Sequence, residues 1–358
     1  VDGGTPAPRG PRLGVVAIGR NEGERLECCL ASIADRADAV VYVDSGSSDG
    51  SPERARARGM PVVVLDGSLP FTAARARNAG FERLARDHPD LEFVQFVDGD
   101  CEVQPGWLEA AVRHLEAHPD VAVVCGRRRE RSPDASLYNR LVDVEWDAAP
   151  GETDACGGDA MVRARAFRAA GGYDASLIAG EDPELCWRIR RAGMRVVRLD
   201  REMTLHDAEL RSFRQWWRRQ VRSGHAYAQA VHLHRGRADP HRARRLLSIA
   251  VFGGALPGLA LLAAWPTSGA SLLLLLLALA VPWNRAYRDC RARRTRPDAA
   301  WYASACLLGK LAELEGALGF AWNRMVRGRA PRLIEYRDPD PAPRGRDPGE
   351  AREAARGR

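Results

Sequence analysis

From Leu13 onward, short apolar runs alternate with longer amphipathic ones. "LGVVAIG" precedes a stretch of helical period from about Glu22 to Asp35, and "AVVYVD" one around Pro52 to Arg58. "PVVVLD" precedes one from Thr72 to Arg86 and "LEFVQFV" one from Pro105 to Ala117, after which "VAVVCG" follows. The β-type runs are apolar throughout rather than alternating, as strands covered on both faces are. Five of them separated by helices predict an α/β fold with a mostly parallel sheet and helices on both faces, because parallel neighbours need a crossover. Ligands of such sheets bind beyond the carboxyl ends of the strands, where Asp44, Asp66 and Asp98 fall.

Between Arg127 and Ala155 the chain turns polar, which suggests a substrate-facing insertion. "EDPELCWRIRRAGMRV" then reads as a helix, with Asp182 suited to the N-cap, Pro183 to the first helical position and Gly193 to the carboxyl cap. Past His241 the character changes. Leu246 to Trp265 is about 20 residues without a charge, or about 30 Å of helix, the thickness of a bilayer's hydrocarbon. "PTSG" turns the chain and a shorter apolar run returns it, predicting a hairpin of spans over 246–265 and 269–283. Arginines crowd before the first span and after the second but are missing from the turn, which by the positive-inside rule puts both ends in the cytoplasm. A third apolar segment, 299–322, carries Lys310, Glu313 and Glu315 and is expected to lie at the interface rather than cross. The domains read as a lead-in over 1–12 without a signal peptide's apolar core, an α/β domain over 13–230, a membrane-associated helical region over 231–330 and a disordered tail over 331–358.

The chain has 358 residues, 45% hydrophobic, enough for a sizeable core. Its net charge of +7 is carried almost wholly by arginine, Lys310 being the single lysine. Beside abundant Ala and Gly this looks like the coding bias of a GC-rich genome, so nucleic acid is not inferred as a partner. Eight cysteines without CxxC pairs suggest reduced thiols, neither a zinc site nor a disulfide framework. The first turn, "IGRNEGERL", lacks GxGxxG, which argues against a dinucleotide cofactor.

The chemistry concentrates in "VDGD", where Asp98 and Asp100 flank Gly99 at the end of a strand. Two acids so placed can meet one hard divalent cation, Mg²⁺ or Mn²⁺, which bridges carboxylates to phosphate oxygens. Alone, such a pair would more readily be a solvated acidic turn or a cap for the helix entering at Pro105. "VDSGSSDG" adds a small-residue turn whose N–H groups could line a nucleotide pocket.

These stretches, with "CGGDAMVRARAFRAAGGYD" and "GEDPELCWRIRRAG", occur in the order and at roughly the spacing of family 2 glycosyltransferases of the GT-A fold. The region from about Leu13 to Arg222 resembles that family in its membrane-anchored bacterial form. The resemblance implies a Rossmann-like GT-A domain, a UDP-, GDP- or dTDP-linked sugar donor, and inversion at the anomeric carbon. Asn21, Glu22 and Asp44 would hold the nucleoside, and Arg77 would lie near the base or diphosphate. Asp98 and Asp100 match the DxD, with Asp100 the more direct metal ligand, and His206 is similar to a histidine that relatives present to the metal. Gly157, Gly158 and Asp159 would approach the transferred sugar or the acceptor. Glu181 and Asp182 match the ED pair, Asp182 being the general base, a role compatible with capping. Two departures matter: Ser45 stands where many relatives have a second acid, and "QWWRR" from Gln215 fails the QxxRW of processive synthases. The cluster "FRQWWRRQ" also reads as an amphipathic helix resting on a membrane surface.

The expected function is transfer of one sugar to a hydroxyl of an acceptor glycan or polyprenyl-linked lipid at the cytoplasmic membrane face, in envelope or exopolysaccharide synthesis. The alternatives are a processive polysaccharide synthase and a non-catalytic scaffold that binds nucleotide sugar.

Overall fold

The computed structural model describes residues 12–234, 239–325 and 334. All but Arg12 of the expected lead-in and all but Ile334 of the expected tail lie outside them. The strands are β1 (Leu13–Gly19), β2 (Ala39–Asp44), β3 (Val62–Val64), β4 (Phe93–Asp98), β5 (Cys101–Val103), β6 (Val121–Glu130), β7 (Gly151–Glu152), β8 (Ala160–Arg163) and β9 (Arg195–His206). The first helices are α1 (Glu24–Ile33), α2 (Ser51–Ala57), α3 (Ala73–Asp87), α4 (Trp107–Ala117), α5 (Leu137–Glu145), α6 (Ala164–Ala169) and α7 (Glu181–Arg191).

One sheet runs β3-β2-β1-β4-β8-β6-β9-β5, with β7 pairing on β9. The β1, β2, β3 and β4 pairings are parallel, as is β6 with β9, whereas β8 runs antiparallel to both β4 and β6. The sheet is therefore mostly parallel but mixed. The apolar run at "VAVVCG" does not lie beside β4, because β8 enters between them; with only four residues, β8 carries no legible period. Val15, Val16, Ala17, Val94, Phe96 and Val97 are fully or almost fully buried, as strands covered on both faces require.

The start of α7 differs from its sequence reading. Gly180, at φ 77°, takes the N-cap position, so Asp182 lies inside the first turn and Pro183 one residue further. At the other end Gly193 follows the cap residue Ala192 with φ 84°, the left-handed position that glycine fills without strain.

Beyond β9 the chain becomes helical: α8 (Phe213–Leu233), α9 (Pro240–Ala250), a π-turn at Val251–Ala255, α10 (Leu256–Ala264), α11 (Ala270–Arg291) and α12 (Arg296–Met325). Pro240–Ala264 and Ala270–Arg291 are each long and apolar enough to cross a membrane. Helix α8 starts from a capping box in which the Ser212 and Gln215 side chains satisfy each other's backbone N–H groups. Two of its tryptophans are engaged by protein. Trp216 is buried against Tyr138, and the Trp217 Nε1 donates to Glu315 of α12 at 2.8 Å.

Helices α8 and α12 touch backbone to backbone. A Cβ on Gly224 would come within 1.8 Å of the Glu313 carbonyl oxygen, and one on Gly316 within 1.9 Å of that of Val221. Replacing a mid-helix glycine with alanine ordinarily stabilises, by up to about 1 kcal/mol. At these contacts the sign reverses, since overpacking costs about 1–3 kcal/mol. Gly224→Ala and Gly316→Ala are therefore expected to lower the thermal midpoint in detergent. Gly319→Ala, in the same α12 with open space around it, should leave the midpoint unchanged or raise it.

Candidate active site

The carboxyl ends of β1, β2 and β4 open into a cleft of about 870 Å³. One end is lined by Arg20, Asn21, Glu22 and Ser45, the middle by Asp98, Asp100, Gly158 and His206, and the far wall by Glu181, Asp182 and the start of α8. Asn21 braces the first of these ends. Held at φ 56°, it takes a bond from the Ser48 N–H at 2.8 Å and gives its own N–H to the Ser47 hydroxyl at 2.9 Å, tying the β1 loop to the β2 loop.

Strand pairing delivers His206 to the DxD. The antiparallel register of β5 with β9 sets Cys101 opposite His206, and the His206 Nε2 then lies 3.1 Å from Asp100 Oδ2. Ligand atoms of Asp100, Cys101 and His206 all lie within 4.8 Å of one another, as do those of Asp98, Cys101 and Asp159. Burial, reinforced by Asp159 and Asp100, pushes the Cys101 thiol well above its ordinary range, so it stays protonated and leaves oxygen and imidazole donors. That set suits Mn²⁺ or Mg²⁺ better than a soft metal.

Arg77 occupies the centre. Its side chain is 3% exposed, and its guanidinium donates to Asp98 Oδ1 at 2.7 Å, Glu181 Oε1 at 2.7 Å and Asp182 Oδ1 at 3.3 Å. Burial opposes ionisation of Asp98, yet Arg77 and Arg128 outweigh it and hold this carboxyl below its usual range. At Asp182 burial wins over Arg77, helped by the negative charge of Glu181, and the carboxyl is pushed up to about 7. A carboxylate with this affinity for a proton is suited to accept one near neutral pH.

Gly158 makes room for this arrangement, since a Cβ there would fall 2.2 Å from Arg77 Nη2 and 2.9 Å from Asp98 Oδ2. Gly157, also on the cleft, meets nothing closer than Arg128 at 3.9 Å.

Two residues expected at the ligand lie behind the surface instead. Asp44 is 1% exposed, and its carboxylate accepts from the Gly46 and Ser47 N–H groups, both at 2.9 Å, so it shapes the turn. Asp159 is fully buried, accepting from the Asp98 N–H at 3.1 Å and the Thr204 hydroxyl at 2.6 Å, and it pairs with Arg128 at 2.8 Å. Neither is among the cleft-lining residues. Asp66, at the end of the β3 run, spends its carboxylate on the Ser68 N–H and is exposed.

The structure adds Arg128, Trp146 and Phe71 to the cleft. Trp146 stands edge-on to His206, with ring centroids 4.7 Å apart, and Arg128 lies over its ring at 5.4 Å. It follows directly on α5, which the α11–α12 turn grips. Arg294 reaches Asp143 Oδ2 at 2.9 Å and Asp147 Oδ2 at 2.7 Å, so the base of the helical hairpin holds the segment that carries this cleft wall. The polar composition of 127–155 hinted at a substrate-facing role but singled out no residue within it.

This sheet, with an Asp-x-Asp turn facing an acid-bearing helix N-terminus, is the architecture of the GT-A fold. Residues 15–168 match the profile of Glycosyl transferase family 2. It is 29% identical over 265 residues to the pre-mycofactocin glycosyltransferase of Mycobacterium tuberculosis, covering 70% of this chain and 53% of that protein. The chain thus spans about half the length of the curated relatives it matches. Glycosyltransferase AglE of Haloferax volcanii is 30% identical over 112 residues, covering 28% of this chain and 34% of that protein. Among solved structures, the mannosyltransferase PcManGT of Pyrobaculum calidifontis, in complex with GDP-Man and Mn²⁺, superposes with a TM-score of 0.54 at 21% identity, covering 89% of both chains. That likeness establishes the fold.

The two neighbouring glycines separate packing from chemistry. Gly158→Ala should drive Arg77 off Asp98, at a cost in the range of about 1–3 kcal/mol in denaturant unfolding, with loss of ligand binding in the cleft. Gly157→Ala should unfold as wild type does.

Proposed function

We propose that the protein is an inverting, metal-dependent glycosyltransferase. It moves one sugar from a nucleotide-sugar donor to a hydroxyl of an acceptor held at the cytoplasmic membrane face. The observation that carries this reading is the placement of Asp98, Asp100 and His206 on one side of a single cleft and Asp182 on the other, with Arg77 between them. The family match and the GDP-Man and Mn²⁺ complex of the fold neighbour support it.

Asn21 and Glu22 would receive the nucleoside. Asp98, Asp100 and His206 would hold a divalent cation, whose charge would stabilise the departing diphosphate. Asp182 takes the proton of the acceptor hydroxyl as its oxygen bonds to the anomeric carbon and the bond from that carbon to the diphosphate oxygen breaks. Because the attacking oxygen enters opposite the leaving group, configuration inverts. Glu181 and Arg77 keep the base oriented. Gln215 favours single transfer over processive synthesis, since its side-chain oxygen is engaged by the Arg211 and Ser212 N–H groups at 2.7 and 3.0 Å. The two long apolar helices support a membrane anchor, and the arginines flanking them support a cytoplasmic cleft. A lipid-linked acceptor, such as a polyprenyl-linked saccharide, follows from the anchor.

Two measurements test the reading. With Asp182 pushed up to about 7, the active, ionised base grows as pH rises, so turnover should climb through pH 7 and level off above it. Asp182→Asn should abolish transfer while leaving donor-induced thermal stabilisation intact. If the variant transfers at the wild-type rate, Asp182 is not the base. Treatment with a chelator should stop transfer and remove donor binding, and Mn²⁺ should restore both; donor binding indifferent to metal would exclude the role given to Asp98 and Asp100.

A further inference from the structure

We propose that the α10–α11 hairpin enters one leaflet and turns back inside the bilayer. In this arrangement α12 lies along the membrane surface, and the protein is embedded from a single side. The inference rests on the membrane reading above and replaces two crossing spans with a re-entrant loop.

The first ground is length. The return limb, α11, has spanning length as a whole, but only Ala270 to Asn284 is free of charge before Arg285, about 22 Å of helix against about 30 Å of hydrocarbon. The outgoing limb has spanning length by composition, but one face of its near half packs on α12 beside charge. A Cβ on Gly253 would meet the Lys310 carbonyl oxygen at 2.4 Å, and close by Lys310 and Arg245 both pair with Glu313 at 2.8 Å. Past that tier the leucines stand open: Leu261 is 68% exposed, Leu262 80% and Trp265 92%. From Leu256 to Trp265 the rod advances about 15 Å, half of the hydrocarbon core.

The second ground is the turn itself. A turn that emerged into water on the far side could leave its polar groups to solvent. Here the N–H groups of Thr267, Ser268, Gly269 and Ala270 all find carbonyl oxygens in the turn or in the last residues of α10. The Thr267 hydroxyl donates to the Ala263 carbonyl at 2.6 Å and the Ser271 hydroxyl to that of Ala260 at 2.7 Å. Self-satisfaction of this kind is what a segment in hydrocarbon needs.

The third ground is α12. Trp301, Leu308, Leu311, Leu318 and Trp322 are all exposed and, at about 100° per residue, share about 100° of arc, interrupted by Glu315, whose carboxylate accepts from the Trp217 Nε1 at 2.8 Å. Lys310 and Glu313 are buried away from that stripe, and the Gly224 contact sets α8 against the backbone at Glu313. A crossing α12 would draw the arginine-bearing α8 into lipid with it, whereas an α12 lying flat keeps α8 in the headgroup layer. The cleft wall formed by α8 then stands one helix diameter, about 10 Å, above the hydrocarbon. The acceptor this geometry fits is an amphiphile whose reacting hydroxyl projects about that far from its buried tail.

The test places Ser268→Cys in the full chain, with the exposed Cys28 and part-buried Cys306 changed to alanine, on sealed vesicles with the catalytic domain outside. A membrane-impermeant maleimide is applied outside or trapped within. The expected result is loss of labelling from both sides and full labelling in detergent. Asn284→Cys at the base of the hairpin should label from outside. Labelling of Ser268→Cys from the lumen would overturn the inference, showing a crossing hairpin with the membrane reading intact. Labelling from outside on protein that floats with the vesicles would also overturn it, placing the tip in water. Protein that fails to float would remove the membrane reading itself.

Discussion

A single buried guanidinium organises the cleft. Arg77 has almost no contact with solvent and touches Asp98, Glu181 and Asp182 at once, so carboxylates from β4 and from α7 are held to one point on α3. Removing such a partner leaves acids in low dielectric without compensation, a far larger penalty than the loss of a surface pair. The geometry of α3, the small side of Gly158 and the left-handed Gly180 that admits the first turn of α7 all serve this convergence.

Around that centre, negative charge is graded rather than uniform. Asp98 is flanked by Arg77 and Arg128 and held ionised, whereas Asp182 is shielded from water and keeps a proton to near neutrality. Two carboxylates of the same kind thereby acquire different chemistry from their surroundings. Asp159 takes part from beneath, joining β4, β9 and Arg128 without reaching the cleft.

Much of this was legible in the sequence where local pattern and chemistry coincide. Doubly covered strands announce themselves as unbroken apolar runs, and "VDGD" and "GEDPE" place acids at strand and helix ends, where open α/β sheets put their sites. What stayed hidden depends on contacts distant in sequence. Nothing local marks Asp44 as serving its own turn, because the choice between ligand and backbone is made by side-chain direction. Strand β8 was too short to show a period, and its insertion reorders the sheet. Trp146 reaches His206 only through tertiary packing, and Trp216, which composition assigned to a membrane surface, is claimed by Tyr138.

The grip of Arg294 on Asp143 and Asp147 has a practical corollary. The wall that carries Trp146 is fastened from outside the α/β domain, by the turn between α11 and α12. A protein shortened after α8 to gain solubility would thus keep every acid of the cleft yet lose the clamp on one of its sides. The helical hairpin and the α/β domain form one mechanical piece, and measurements on a trimmed version would describe a different molecule.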